Sequence, residues 1–340
     1  MLGMTSVDIG IDLGTATVLV FVKNKGVVLN EPSVVAVEKE SRQVLAIGKE
    51  ARKMVGRTPG NILAIRPLKD GVIADYDAAE AMLKYFIRRI SGKRALIKPR
   101  IIVCAPSGVT SVEKRAIVDA AAQVGARQTD IIEEPMAAAL GAGLDIIKPE
   151  GHMVVDIGGG TTDVAVLSLG GIVLSDSIRT GGNKMDESIA RYIKQEYNVL
   201  VGERTAEEAK IEAGTAVCGL RRKSYEFRGR DLLAGMPKTV SVDSTEICRA
   251  MEESLDGILR TIRSVLEKTP AELSGDISEK GIVITGGGAL LHGIEELITK
   301  ETGVSAQAAD DPVSCVALGT GRALEEFESV HSSWVSPRRV

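Results

Sequence analysis

Apolar residues in this chain gather in short runs that end at glycine, proline or a carboxylate. The stretch Met153–Val166, MVVDIGGGTTDVAV, holds two such runs around Asp156, Gly158, Gly159, Gly160, two threonines and Asp163. This pattern predicts a buried strand, a tight turn and a returning strand through Leu167. Gly10–Phe21, GIDLGTATVLVF, repeats it: Asp12 matches Asp156, Gly14 matches Gly158, and Val18–Val22 returns. A third glycine cluster, Gly286, Gly287 and Gly288 with Ala289, follows the apolar strand Gly281–Ile284 and leads into a helical pattern. An internal repeat of this kind predicts two similar halves facing one ligand.

Between these units strands alternate with helices. Asn30–Ser33 reads as a turn before a strand over Val34–Val37, and Gly60 to Asp70 as an extended surface loop. Asp77-x-x-Glu80 reads as a capping box opening a helix with Met82 or Leu83, Phe86, Ile87 and Ile90 inward. Arg100–Ala105 is a strand ending at Pro106. Thr110-x-x-Glu113 caps a helix that turns Val112, Ala116, Ile117, Ala120, Ala121 and Val124 inward. A helix after Gly181 is expected to bury Met185, Ile189, Tyr192 and Ile193, and Thr205-x-x-Glu208 to cap the next one. Ser224–Arg230 and Lys238–Val242 are short strands. Ile247, Met251, Leu255, Ile258, Ile262 and Val265 mark a long amphipathic helix that stops before Pro270. The last helix runs from Asp311-Pro312 to about Phe327. The tail, with Trp334 and a basic end, is expected to be disordered, weak partner or membrane contact being left open.

Composition narrows the classes. A length of 340 residues suggests two domains, and 44% hydrophobic with 3% aromatic residues requires aliphatic cores. The formal charge of −4 gives no sign of nucleic-acid binding. Four scattered cysteines without a C-x-x-C, and three dispersed histidines, argue against zinc and suggest four reduced thiols in a cytosolic protein. No apolar run approaches the ~20 residues needed to span a bilayer. The first residues do not read as a signal peptide.

The candidate chemistry is anionic-ligand binding. Glycines let backbone N–H groups approach a phosphate closely, and Asp156 at the lip could hold magnesium through water. A tight hairpin with no ligand is the plainer alternative. Glu134 precedes Pro135, which suits a first helical turn, so the helix field would keep its carboxylate ionised and able to orient a water. A role as a helix cap alone is the plainer alternative. Ser91–Arg100 sets Leu96 and Ile97 among Lys93, Arg94, Lys98 and Arg100. Burying each aliphatic side chain in a membrane interface is worth ~1.5–3 kcal/mol, and a Lys or Arg on an anionic leaflet adds about 1 kcal/mol. Alternatively both side chains tuck into the domain.

The Asp-x-Gly hairpins and the late GGG turn resemble the actin, sugar-kinase and heat-shock-chaperone ATPase superfamily. Within it, NEPSVVAV (Asn30–Val37), RPLKDGVIADY (Arg66–Tyr76), EEPMAAALGAGL (Glu133–Leu144), GERTAEEAKIE (Gly202–Glu212), RGRDLLAGMPKT (Arg228–Thr239) and ITGGGALL (Ile284–Leu291) resemble the bacterial actin MreB/Mbl family, over about Val7 to Ala323. The resemblance implies an α/β actin-like ATPase fold: two duplicated RNase H-like halves, each with a smaller subdomain, and a nucleotide cleft between them. Domain I would span 1–147 and 312–330 with a small subdomain at about 33–75. Domain II would span 148–311 with one at about 183–255, leaving 331–340 as tail.

The resemblance further implies slow ATP hydrolysis coupled to polymerisation. Asp12 and Asp156 would hold Mg2+ mostly through water. Gly14, Thr15, Ala16 and Gly158–Gly160 would cradle phosphates, and Glu134 and Thr161 would be catalytic. Glu207, Glu208, Ala209 and Lys210 would line the nucleoside, unless Glu207 and Lys210 form only a surface ion pair. Gly286, Gly287, Gly288 and Ala289 would let adenosine lie against the backbone. Antiparallel double protofilaments would sit on the anionic inner face of the plasma membrane through Leu96 and Ile97, guide the cell-wall elongation machinery and set rod shape. A sugar or acetate kinase, or a regulatory paralogue with weak hydrolysis, is the alternative; a chaperone would need a peptide-binding region after the ATPase. Thr17, Val18, Asp163 and Asn183 depart from the usual pattern, Asn183 by removing a carboxylate near the sugar.

Overall fold

Strands built from β-branched residues organise the chain around two large sheets. The computed structural model describes residues 8–91, 98–107, 109–123, 125–326 and 336–338. β1 (Ile9–Leu13) and β2 (Thr17–Val22) form the first predicted hairpin, with Asp12 opposite Leu19, and β3 (Gly26–Pro32) extends it. β4 (Val35–Glu38), β5 (Val44–Ile47), helix α1 (Lys49–Met54) and β6 (Ile62–Ile65) then form a small unit around Val34, Ala36 and Ala51. Here the expected 60–70 loop is corrected. Ile62–Ile65 pairs antiparallel with β4, because Pro59 and Pro67 bracket this apolar run rather than interrupt it. β7 (Leu68–Lys69) and β8 (Val72–Ile73) close a hairpin through Asp70 and Gly71, both at positive φ.

α2 (Tyr76–Ser91) buries Met82, Leu83, Phe86 and Ile87, with Ile90 half-buried against the same core. Its cap is Asp75, whose Oδ1 accepts the Ala78 N–H at 3.1 Å; Asp77 lies inside the first turn and Glu80 pairs with Lys84. β9 (Arg100–Ala105) and β10 (Gln128–Glu133) add to β1 in parallel. Between them α3 (Ser111–Gln123) keeps the predicted Thr110–Glu113 box. It buries Ile117, Val118, Ala120 and Ala121, but Val112, in its first turn, is 76% exposed. Val124 lies outside the described residues. α4 (Glu134–Gly141) follows directly.

The second half repeats the first. β11 (His152–Ile157) and β12 (Thr162–Ser168) form the central hairpin with Asp156 opposite Asp163, and β13 (Gly171–Ile178) extends it. α5 (Gly182–Tyr197), β14 (Val199–Leu200), α6 (Glu203–Ala213), β15 (Ser224–Asp231) and β16 (Pro237–Asp243) form its smaller part. α5 buries Met185, Ile189 and Ile193, and its half-buried Tyr192 reaches Glu246. α6 starts at Glu203 with Gly202 as N-cap, so Thr205 and Glu208 are not a cap. α7 (Ser244–Lys268) opens on an Asp243–Glu246 capping box and buries its whole predicted stripe. α8 (Ala271–Lys280), β17 (Ile282–Thr285), a 3-10 turn at Gly287–Leu290, α9 (Ile294–Thr302) and β18 (Ala306–Ala308) complete this half.

The duplication is visible in strand order: β3-β2-β1-β9-β10 in one sheet and β13-β12-β11-β17-β18 in the other. α10 (Cys315–Glu326) returns to the first sheet and lies tightly on α4. A Cβ on Gly319 would fall 1.8 Å from the Ala137 carbonyl oxygen, and one on Gly141 would fall 1.7 Å from that of Cys315. The expectation of a disordered tail is corrected at residues 336–338. β19 (Ser336–Arg338) pairs antiparallel with β10, covering an edge that would otherwise be open, where Pro337 is tolerated. The expectation of four reduced thiols also fails: Cys218 and Cys248 form a disulfide, while Cys104 and Cys315 are buried and free. Among the described residues, no helix is long and apolar enough to cross a membrane.

Candidate functional site

The two aspartate-bearing hairpins meet. A Cβ on Gly159 would lie 2.5 Å from the Ala16 Cβ and 3.2 Å from its backbone nitrogen, and one on Gly160 would lie 2.5 Å from Thr15 Oγ1. Only glycine permits this approach. The turns border one cavity of about 380 Å³, lined also by Asp12, Gly14, Glu134, Asp156, Gly158, Thr161, Glu207, Lys210 and Gly286–Gly288. The third turn is fastened to the second hairpin. Thr285 Oγ1 donates to Asp156 Oδ1 at 2.6 Å, and Gly286, at φ 79°, lies against the Ile157 carbonyl. The Gly71 N–H donates to Thr15 Oγ1 at 3.2 Å, bringing the β7–β8 hairpin to the rim.

Four carboxylates gather at the floor. Asp12, Glu134 and Asp156 are nearly buried and Asp163 is fully buried, with one oxygen accepting the Ser107 N–H at 3.1 Å. Burial, then the charge of Asp156, pushes the Asp12 pKa up to about 8. Burial pushes Asp156 up to about 7, against the Thr285 hydrogen bond and with help from Asp163. Glu134 is raised well above the usual carboxylate range by burial and by Asp163, Asp156 and Asp12. This corrects the expectation that its helix keeps Glu134 ionised. A helix N-terminus carries roughly half a charge, which desolvation and three neighbouring carboxylates outweigh. Such a cluster calls for a counter-cation. Among the described residues no three His, Cys or carboxylate groups converge as metal ligands.

α6 forms one wall; Glu207 and Lys210 both line the cavity and pair with other residues rather than with each other. Lys210 Nζ lies 2.7 Å from Asp186 Oδ1 and donates to the Gly182 carbonyl at 2.9 Å. Burial raises Asp186 to about 6, with Lys210 opposing. Glu207 accepts from Arg52 across the cleft. Glu208 turns away from the cavity to Arg204 and Tyr225, Ala209 is buried in the core beneath the helix, and Ala289 is likewise packed inward. Leu96 and Ile97 lie outside the described residues. Arg52, Arg66 and Asp186 were not singled out by sequence reasoning. Arg52 and Glu207 are 155 positions apart, so no local pattern links them. Asp186, one turn past Asn183, faces the cavity that Asn183 also lines, a position that helical spacing could have suggested.

The family model described as MreB/Mbl protein matches residues 6–332. The cell shape-determining protein Mbl of Bacillus subtilis (strain 168) is 54% identical over 323 residues, 95% of this chain and 97% of that protein. The cell shape-determining protein MreB of Escherichia coli (strain K12) is 51% identical over 331 residues, 96% and 95% of the two chains. The crystal structure of MreB5 of Spiroplasma citri bound to ADP superposes with a TM-score of 0.91 at 40% identity, covering 96% of this chain and 98% of that one. The MamK double helical filament, 22% identical with a TM-score of 0.81, shares the fold over 95% and 99% of the chains.

Proposed function

The chain belongs to the MreB/Mbl family, and we propose on that footing that it is an ATP-dependent actin-like cytoskeletal protein that determines cell shape. The observation that carries this is the contact of Gly159 with Ala16 and of Gly160 with Thr15 around one cavity. Two turns that touch in this way can face a single polyphosphate from opposite sides. That relatives are named cell shape-determining proteins, and that a 40% identical neighbour was solved with ADP and with AMPPNP, supports the reading.

In this account backbone N–H groups of Gly14–Ala16 and Gly158–Gly160, with the hydroxyls of Thr15 and Thr161, hold phosphate oxygens. Gly286–Gly288 provide a flat backbone for the nucleoside. Mg2+, when bound with nucleotide near Asp12 and Asp156, supplies the positive charge the buried carboxylates lack. Without ligand the surroundings of Glu134 favour its protonated form; positive charge bound beside Asp12 and Asp156 would offset that, leaving a carboxylate able to orient the attacking water and accept its proton. The reaction is phosphoryl transfer to water, slow, and coupled to head-to-tail assembly. A heterologous contact need not close, so filaments form, paired antiparallel. They lie on the inner face of the plasma membrane through Leu96 and Ile97 and engage the wall-elongation machinery.

Sedimentation with ATP, with and without anionic liposomes, tests this. Wild type should pellet with ATP and bind lipid, whereas Leu96→Ser with Ile97→Ser should pellet with ATP but leave the lipid. No nucleotide-dependent pellet would refute the filament reading, and equal lipid binding would refute the anchor.

A further inference from the structure

The connector from α6 to β15 is fastened to both the cleft and the long helix α7. At its start the Gly214 N–H donates to the carbonyls of Ala209 and Lys210, at 3.1 and 3.0 Å. Next, Thr215 Oγ1 lies 3.0 Å from His292 Nδ1, and the Ala216 N–H donates to the His292 carbonyl at 2.7 Å. His292 lines the cleft just past the third glycine turn. Beyond these contacts the chain makes an exposed turn, Val217–Leu220, with Gly219 at φ 84°. Cys218 in that turn is bonded to Cys248, which is 3% exposed in the first turns of α7. The Cα atoms are 5.5 Å apart, within the range a disulfide requires.

We propose that Cys218 and Cys248 form a reversible thiol–disulfide site whose state sets the nucleotide affinity of the neighbouring cleft. Access favours reversibility. The Cys218 side of the bond is at the surface, beside a cavity of about 390 Å³ that Arg260 and Arg263 also line. Closure is balanced with a small disulfide as oxidant. The Cys218 thiolate attacks one sulfur of that disulfide and expels the first small thiol. The Cys248 thiolate then attacks the Cys218 sulfur and expels the second. Two protein thiols lose two protons and two electrons, and the oxidant becomes two thiols. With the bond closed, the connector cannot leave α7, so the end of α6 and His292 stay in place. With it open, those contacts depend on the hydrogen bonds and on the burial of Ala213 and Ala216, with no covalent tie to α7. The coupling to affinity rests on the nucleotide reading above; the bond itself does not.

The test uses the full chain equilibrated with oxidised glutathione or with a phosphine reductant, followed by alkylation and peptide mass analysis. The oxidised chain should yield two alkylatable thiols after denaturation, Cys104 and Cys315, and a linked Cys218–Cys248 peptide. The reduced chain should yield four, with Cys218 alkylated first in the folded state. Fluorescent-ATP affinity should fall severalfold on reduction in wild type, and Cys218→Ser should stay at the reduced value under both conditions. Four thiols after oxidation, or equal wild-type affinity in both states, would overturn the proposal. A chain that binds no nucleotide in either state would sink the nucleotide reading and the coupling, while the thiol count would still decide the bond.

Discussion

Arg52 Nη2 donates to Glu207 Oε2 at 2.5 Å across the mouth of the cleft, joining α1 of one half to α6 of the other. Arg66 and Glu203, 3.7 Å apart, run beside it. Both pairs are partly exposed, so each is worth only ~0.2–1 kcal/mol. They act, however, where a bound nucleotide would leave. Arg52→Glu should speed release of a fluorescent nucleotide by roughly 1.4- to 5-fold at low salt, converting that range of energy. Adding Glu207→Arg should restore it, and high salt should erase the difference. Release that ignores all three changes would show that the pair does not hold the cleft.

The glycine contacts give a sharper prediction. In Gly159→Ala the new methyl would meet Ala16, including its backbone nitrogen. Relieving such a clash typically costs ~1–3 kcal/mol, here through separation of the two turns. ATP affinity should drop by about one to two orders of magnitude, while circular dichroism remains that of a folded chain. Undiminished affinity in titration would mean these turns do not cradle the phosphates.

Stability without nucleotide should depend on pH in an unusual direction. Asp12 titrates near 8 and Asp156 near 7 in the folded chain, against an ordinary 3.8. Between those limits the folded chain binds more protons than the unfolded one, so stability falls as pH rises through the window and levels off above it. Glu134 and Asp163 add in the same sense. The ligand-free Tm should decline from about pH 6 to about pH 8, and Asp12→Asn should flatten the curve. The Tm gain from Mg-ATP should grow over that same interval. A ligand-free Tm that climbs with pH would contradict the carboxylate account.

Glu134→Ala should retain ATP binding but lower the phosphate release rate by about 10²–10⁴. Unchanged release, measured by a coupled phosphate assay, would remove Glu134 from the chemistry.

Much of this site could be read before the fold was known, for a physical reason. Asp12, Asp156 and their glycines sit in turns whose conformation is set locally, and each lies within one supersecondary unit. The cap of α2 was misplaced by two residues because Asp75 and Asp77 are chemically equivalent candidates. Strand β6 was missed because its flanking prolines are also loop signals. The ionisation of Glu134, the Arg52–Glu207 bridge and the Cys218–Cys248 bond were not legible. Each depends on groups brought together from distant positions, and burial at Glu134 reverses what its helix alone would do.

The central claim is that Asp12 and Asp156 serve one bound triphosphate. The most direct check is a double-mutant cycle on ATP affinity with and without magnesium, using Asp12→Asn, Asp156→Asn and both together. If both act through one ion, either substitution alone should abolish most of the magnesium-dependent gain, and the pair should lose little more than one. Losses that simply add, or one substitution with no effect, would contradict a shared site.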